Sequence, residues 1–386
     1  MLSYLPAFIL IFAVSLAVSA VVTPLARRLG LRLGLVDRPG GRRRHGGAIP
    51  RLGGMALYVG FTVAVLLTLV LPGRWLPLRL DPNEMVRLTG LLLGTAFVFI
   101  FGLLDDRFHF GTRPQYLIQF ASALIAISFI IFIERVSNPL ERINLPLPLA
   151  QYHQIVFPLA VTWLLTIFWF MGMMNTVNWL DGLDGLATGV AAIFAFVVAV
   201  GMIREGQHSV ALLPIALLGA TLGFLPYNFN PARIFMGSSG SYFLGWALAA
   251  LGIIAGAKMA TVLLVLGLPI LDVAWLIFYR WRHGRRPSQD GRDHLHYRLA
   301  DMGYSPRTIA LGYYIFCAAF GVLALGLGPR LFKLIALVVL TGAALAVMIW
   351  ASRKPAGNPA PAAPGDGGPA SANKSPLTGD KTSAEN

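Results

Sequence analysis

Long apolar runs alternate with short polar connections along the whole chain. The runs cover residues 5–26, 52–71, 86–104, 115–133, 155–174, 186–203, 210–225, 241–257, 259–279, 308–327 and 331–351, and they hold almost no ionisable side chains. Helices of roughly 20 residues, rising about 1.5 Å each, match the ~30 Å hydrocarbon layer of a bilayer. Within the runs apolar and polar residues do not alternate with period 2, so nothing suggests a lipid-facing barrel. A backbone in lipid must then satisfy its own hydrogen bonds, which leaves helices. The pattern predicts an all-α polytopic membrane protein with about 11 transmembrane helices.

Composition agrees. Of 386 residues 56% are hydrophobic and 12% charged, with a mean hydropathy of +0.68. Soluble domains average about 45–50% apolar and 25% charged, so a soluble globular protein is excluded. Residues 5–26 lack a basic leading region and carry Arg27 and Arg28 on their far flank. They read as an uncleaved first span despite the cleavage-like Ala-Val-Ser-Ala at 17–20. With the N terminus outside, the odd connections and the tail hold 22 of the 31 Lys and Arg. That bias fixes the orientation, with the odd connections cytoplasmic. The net charge of +14 is thereby assigned to topology and anionic lipid rather than to nucleic acid.

Cys317 is the sole cysteine and lies in an apolar run, which excludes an intrachain disulfide and a zinc–thiolate cluster. The segment after Pro355 is rich in Pro, Ala, Gly and Ser and is expected to be disordered. The domain reading is a membrane domain over 1–354 and a cytoplasmic tail over 355–386.

Under this topology the unusual polar clusters share the cytoplasmic face of the inner membrane. A transporter would place ionisable groups near the bilayer midplane; here only Asp272 lies clearly within a run, about two turns from its cytoplasmic end. Asp105 and Asp106 end the third span, where adjacent carboxylates can hold a hard cation or leave one as a base. Acidic residues are disfavoured at a helix C-terminus, so a function is the better reading of the pair. Asn175, Asn178, Asp181 and Asp184 recur every third position and predict one polar strip on a helix. Gly237 to Ser241 precede the eighth span, where free N–H groups can cradle a phosphate or simply cap the helix. His294 and His296, in an Arg-rich loop, point the same way only if extended. Carboxylates for a metal beside cations for phosphates are the parts that phosphoryl transfer needs.

Five segments, DRPGGRRRHGGAIPRLGG, FGLLDDR, NTVNWLDGLDGL, PYNFNPARIFMGSSGS and DHLHYRL, carry a resemblance. In order and separation they resemble the motifs of the polyprenyl-phosphate N-acetylhexosamine-1-phosphate transferases, glycosyltransferase family 4. The resemblance spans about residues 1–351. It implies that a UDP-N-acetylhexosamine and a polyprenyl phosphate, typically undecaprenyl phosphate, react with Mg²⁺, or Mn²⁺ in its place, to give polyprenyl-diphospho-sugar and UMP. This would initiate cell-envelope glycan synthesis.

Carried over, Asp105 is the base toward the lipid phosphate, with Asp106 assisting near the metal. His294 and His296 contact the diphosphate. Arg44, His45, Arg51, Asn178, Asn228 and Phe235 bind substrate, Phe235 by stacking on uracil. Asp181 and Asp184 are metal-proximal. Pro50 to Gly54 look more like the branch that uses UDP-N-acetylglucosamine than the peptidoglycan branch. The chain is compatible with a homodimer.

At Ser238 this sequence departs from the family, which has an Asp there as a principal Mg²⁺ ligand. A hydroxyl is a poorer ligand for a hard dication. The expectation is a slow or inactive enzyme, or one that recruits metal through Asp105, Asp106, Asp181 and Asp184. Tyr297 replaces a common His, a milder change. The rivals are a non-catalytic relative that binds polyprenyl phosphate or UDP-sugar and, behind it, a multi-pass transporter. An assembly scaffold leaves the motif clustering unexplained.

Overall fold

The computed structural model describes residues 4–37, 47–79, 81–138, 153–256, 259–282, 284, 294–328 and 330–353. Arg44, His45 and the tail 355–386 lie outside the described residues. The helices are α1 (Leu5–Arg32), α2 (Gly54–Val70), α3 (Glu84–Phe108), α4 (Thr112–Ser128), α5 (Leu159–Leu180), α6 (Leu186–Arg204), α7 (His208–Asn228), α8 (Gly237–Ile254), α9 (Met259–Val265), α10 (Gly267–Arg282), α11 (Leu295–Asp301), α12 (Pro306–Gly326) and α13 (Arg330–Arg353). Two short antiparallel hairpins, β1 (Val36–Asp37) with β2 (Ile49–Pro50) and β3 (Arg135–Ser137) with β4 (Gln154–Val156), lie in the connections. The protein is a multi-pass membrane protein.

The expected count of eleven spans needs correction. Among the described residues, eight helices are long and apolar enough to cross a bilayer: α1, α3, α5, α6, α7, α8, α12 and α13. Helices α2 and α4 have 17 residues each, about 26 Å at 1.5 Å per residue. The run 259–279, expected as one span, is broken at Leu266 between α9 and α10. Pro269 explains the break: it has no N–H for a helix arriving from α9, yet it is tolerated in the first turn of α10. A broken helix therefore exists where the hydropathy pattern read as continuous.

Helix α8 is the axis of the bundle, contacted by α2, α3 and α5, while α1 packs on α7 and α2, and α6 on α7 and α12. Every residue of α8 except Ile253 is buried, as expected of a helix that is apolar all round. Small residues let the neighbours approach. Gly94 of α3 leaves room for the Trp246 indole, and a Cβ at Gly245 would stand 2.5 Å from the Met174 Cα. Hydroxyls join α1 to α7: Ser15 donates to the Ala216 carbonyl at 2.6 Å and Ser19 to that of Ala220 at 2.8 Å. Exposed Leu, Ile, Val and Phe, such as Val21, Leu117, Phe168 and Ile315, cover the outer faces.

Candidate active site

The described parts of the segments singled out in the sequence meet at one end of the bundle, where α8 begins. Residues 50–54 run alongside 235–236: Phe235 N–H donates to the Pro50 carbonyl, and Gly53 and Gly54 N–H to those of Phe235 and Met236. A side chain on Gly54 would collide with Gly240, so the glycine is what allows α2 to start against α8. The β1–β2 pairing sets Asp37 opposite Ile49 and brings it beside Arg51.

Asp106 sits in the mouth of α8. Its Oδ1 accepts the Ser238 N–H at 2.8 Å; its Oδ2 accepts the Ser239 N–H at 3.0 Å and the Ser239 hydroxyl at 2.9 Å. An Arg51 guanidinium nitrogen lies 3.7 Å from Oδ1. A carboxylate at a helix N-terminus meets both free N–H groups and the positive end of the dipole. The phosphate cradle expected at Gly237 to Ser241 is therefore filled by the protein's own anion. Close approach makes this possible, since a Cβ at Gly102 would stand 2.5 Å from the Ser239 Cα.

Asp105 serves a different partner. Its Oδ1 accepts the Phe110 N–H at 2.9 Å and the Gln115 side-chain amide at 3.2 Å, closing the α3–α4 turn through the left-handed His109. The adjacent carboxylates thus diverge rather than share one ligand.

The polar strip expected over 175–184 also diverges, because α5 stops at Leu180. Gly182 and the left-handed Gly185 (φ 76°) belong to the turn into α6. Asn175 pairs with Gln119 of α4 at 2.7 Å, and the Asn178 carbonyl oxygen accepts the Ser241 hydroxyl at 2.9 Å. Asp184 Oδ2 accepts from the Asn230 amide at 2.9 Å and the Ala232 N–H at 3.0 Å, tying down the 229–236 loop. Asn228 braces the same loop: it accepts the Thr188 hydroxyl at 2.7 Å and donates to the Ile234 carbonyl at 3.1 Å. At 1% exposure its amide is enclosed by the protein. Phe235, at the end of that loop, is half-buried.

Asp181, the C-cap of α5, accepts no hydrogen bond and makes no ion pair with a described residue. Desolvation pushes its carboxyl well above the usual carboxylate range. Arg51 pulls it down, while Asp106, Asp184 and Asp37 push it up.

His294 is the extended N-cap of α11 (ψ 148°), and His296 lies inside that helix. The cap conformation brings the rings into a stack with centroids 5.5 Å apart and planes 16° apart, although one residue is helical. Trp179 flanks His294 at 5.3 Å, and Tyr297 flanks His296 at 4.3 Å. Tyr297 and His296 also close over Gly182, where any side chain would strike the Tyr297 hydroxyl. The imidazoles thus sit beside the Asp181–Asp184 turn.

Among the described residues, no three His, Cys, Asp or Glu side chains are gathered as a preformed metal site. Asp106 and Asp105 are engaged elsewhere. The donors left are the Asp181 carboxylate, Oδ1 of Asp184 and the Ser238 hydroxyl. Mg²⁺ typically takes one or two carboxylates together with substrate phosphates. The donor set fits an ion that arrives with a diphosphate, not one held in advance by protein alone.

Asp37, Gln115 and Asp272 were not assigned roles from the sequence. Of these only Asp272 gave a signal, as a lone carboxylate inside an apolar run.

Residues 88–256 match the family model described as glycosyl transferase family 4. The chain is 31% identical over 298 residues to the probable undecaprenyl-phosphate N-acetylglucosaminyl 1-phosphate transferase of Bacillus subtilis (strain 168), covering 75% of this chain and 76% of the relative. It is 31% identical over 325 residues to the decaprenyl-phosphate N-acetylglucosaminephosphotransferase of Mycolicibacterium smegmatis, covering 77% and 75%. It is 29% identical over 289 residues to the undecaprenyl-phosphate alpha-N-acetylglucosaminyl 1-phosphate transferase of Escherichia coli (strain K12), covering 71% of each chain.

Proposed function

Because this chain belongs to glycosyl transferase family 4, we propose that it transfers N-acetylglucosamine 1-phosphate from UDP-N-acetylglucosamine to a polyprenyl phosphate of the undecaprenyl type. The products are polyprenyl-diphospho-N-acetylglucosamine and UMP. The observation that carries this reading is the convergence of an uncommitted carboxylate, Asp181, with Arg51, the stacked His294 and His296, and the half-buried Phe235 at one end of a membrane bundle. The choice of sugar rests on the relatives' names and on the Pro50 to Gly54 segment. The bias of Lys and Arg toward this end supports its placement in the cytoplasm, where UDP-sugars are made.

A lipid phosphate oxygen attacks the sugar-linked phosphorus of the UDP-sugar. The bond to the oxygen bridging the two phosphorus atoms breaks, and that oxygen leaves with UMP. Both reactants are anions, so alignment and charge neutralisation are the main requirements. Arg51 and the imidazoles supply positive charge and N–H donors. Phe235 offers a face to uracil, on a loop held by Asn228 and Asp184. Asp105 takes the proton of a singly ionised lipid phosphate, positioned by Gln115 and the Phe110 N–H. Asp106 acts through structure, holding α8 and Arg51 in place. Asp181, with Asp184 and Ser238, would hold Mg²⁺ together with the diphosphate, and the ion would neutralise charge on the phosphate oxygens.

The purified protein in lipid nanodiscs, given undecaprenyl phosphate and each UDP-N-acetylhexosamine with and without Mg²⁺, is expected to release UMP fastest from UDP-N-acetylglucosamine with Mg²⁺. No UMP from any sugar would overturn the reading. Ser238 favours a second reading, a catalytically impaired relative that keeps the binding site. Under it, UDP-N-acetylglucosamine binds by calorimetry while UMP is not released.

A further inference from the structure

Asp272 lies in the second turn of α10, inside an apolar run, and is 4% exposed. A carboxylate at such depth is costly unless it is paired. Its two oxygens have different partners. Oδ2 lies 3.0 Å from His294 Nδ1, and Oδ1 accepts the Leu295 N–H at 2.9 Å. His294 is itself only 6% exposed and is packed against Trp179 and His296. The imidazole is thus clamped through one nitrogen by a carboxylate of α10.

We propose that Asp272 is the positioning residue of His294, fixing the ring with its Nδ1–H toward α10 so that Nε2 alone addresses the diphosphate of the bound UDP-sugar. The inference rests on the transferase reading for its substrate, and on the geometry for the pairing. A carboxylate at hydrogen-bonding distance from Nδ1 selects the tautomer that carries its proton there. The break at Leu266 is what makes the arrangement possible. It starts α10 afresh, with Asp272 one turn beyond Pro269 and within reach of His294.

Asp272→Asn separates positioning from simple anchoring. The amide oxygen can keep the Leu295 N–H, but the amide nitrogen then faces Nδ1 as a donor and forces the proton onto Nε2. The fold is preserved and the tautomer is inverted. Turnover and ring protonation are to be measured in nanodiscs on the full chain, for wild type, Asp272→Asn, His294→Ala and the double variant.

The expected result is a fall in kcat of about tenfold to hundredfold for Asp272→Asn with little change in KM for the UDP-sugar. The double variant should be no slower than His294→Ala alone. In ¹⁵N-histidine NMR, the resonance missing from His294→Ala should report a protonated Nδ1 in wild type and an unprotonated one in Asp272→Asn. Wild-type turnover in Asp272→Asn, additive losses in the double variant, or an unchanged Nδ1 signal would overturn the proposal. A wild-type protein that releases no UMP counts against the transferase reading, and the NMR comparison alone then decides the pairing.

Discussion

Asp106 and Ser239 are joined twice, the carboxylate Oδ2 accepting the serine's backbone N–H at 3.0 Å and its hydroxyl at 2.9 Å. With the Ser238 N–H on the other oxygen, one side chain of α3 satisfies the opening turn of α8. Asp106→Ala leaves these buried donors without an acceptor, at a cost of about 2–3 kcal/mol or more. Ser239→Ala removes one bond, about 1 kcal/mol. Cys317, the sole and fully buried cysteine, gives the measurement: a thiol-reactive dye should report a lower unfolding temperature for Asp106→Ala than for Ser239→Ala.

Ser238→Asp adds a carboxylate beside Asp106 and close to the Asp181 turn. Without Mg²⁺ the added repulsion should lower the unfolding temperature; with Mg²⁺ the loss should be reversed. The Mg²⁺ needed for half-maximal UMP release should fall by about tenfold or more. If neither stability nor activity of the variant responds to Mg²⁺ differently from wild type, position 238 is not a ligand.

Asp181 has a folded-state carboxyl raised above its ordinary value of 3.8 by desolvation. A raised group contributes stability in full below the unfolded value and loses it as pH rises through the folded one. Metal-free protein should therefore lose this contribution on going from acid toward neutral pH, and Asp181→Asn should remain the more stable form at neutral pH. Unfolding temperatures of the two proteins across pH, in chelator, give the comparison. Equal slopes would contradict the desolvated carboxylate.

Phe235→Ala removes the aromatic face offered to the base. Base–aromatic stacking is worth about 1–3 kcal/mol, so KM for the UDP-sugar should rise about tenfold with kcat reduced less. Thr188→Val, which removes the hydroxyl that Asn228 accepts, should move KM in the same direction through the loop. A kcat loss with KM unchanged in both would place Phe235 away from the nucleotide.

The polytopic helical class was legible because hydropathy and length decide it directly, whereas the number of helices long enough to span was not. The break at Leu266 was not, since Leu, Gly and Pro leave hydropathy high while Pro269 alters only the backbone. The four polar residues from 175 to 184 have the spacing of a helix face, and the true end of α5 depends on Gly182 yielding to Tyr297 and Gly185 adopting positive φ. The acidic pair at 105–106 was found, but not its divergence, which is set by partners 5 to 133 positions away. Asp272 was noticed as an oddity within its run. Its partner lies across a long polar connection that no periodicity links to it.

The helix whose first turn forms the floor of the candidate site is enclosed by protein at every residue but Ile253. Acyl chains of a surrounding bilayer would meet the outer ring rather than α8. A bilayer that thickens or thins would therefore strain the periphery first and reach that end last. The more direct way to disturb the chemistry from a distance is a larger residue at Gly94 or Gly245, whose displacement α8 would carry along its axis to Asp106.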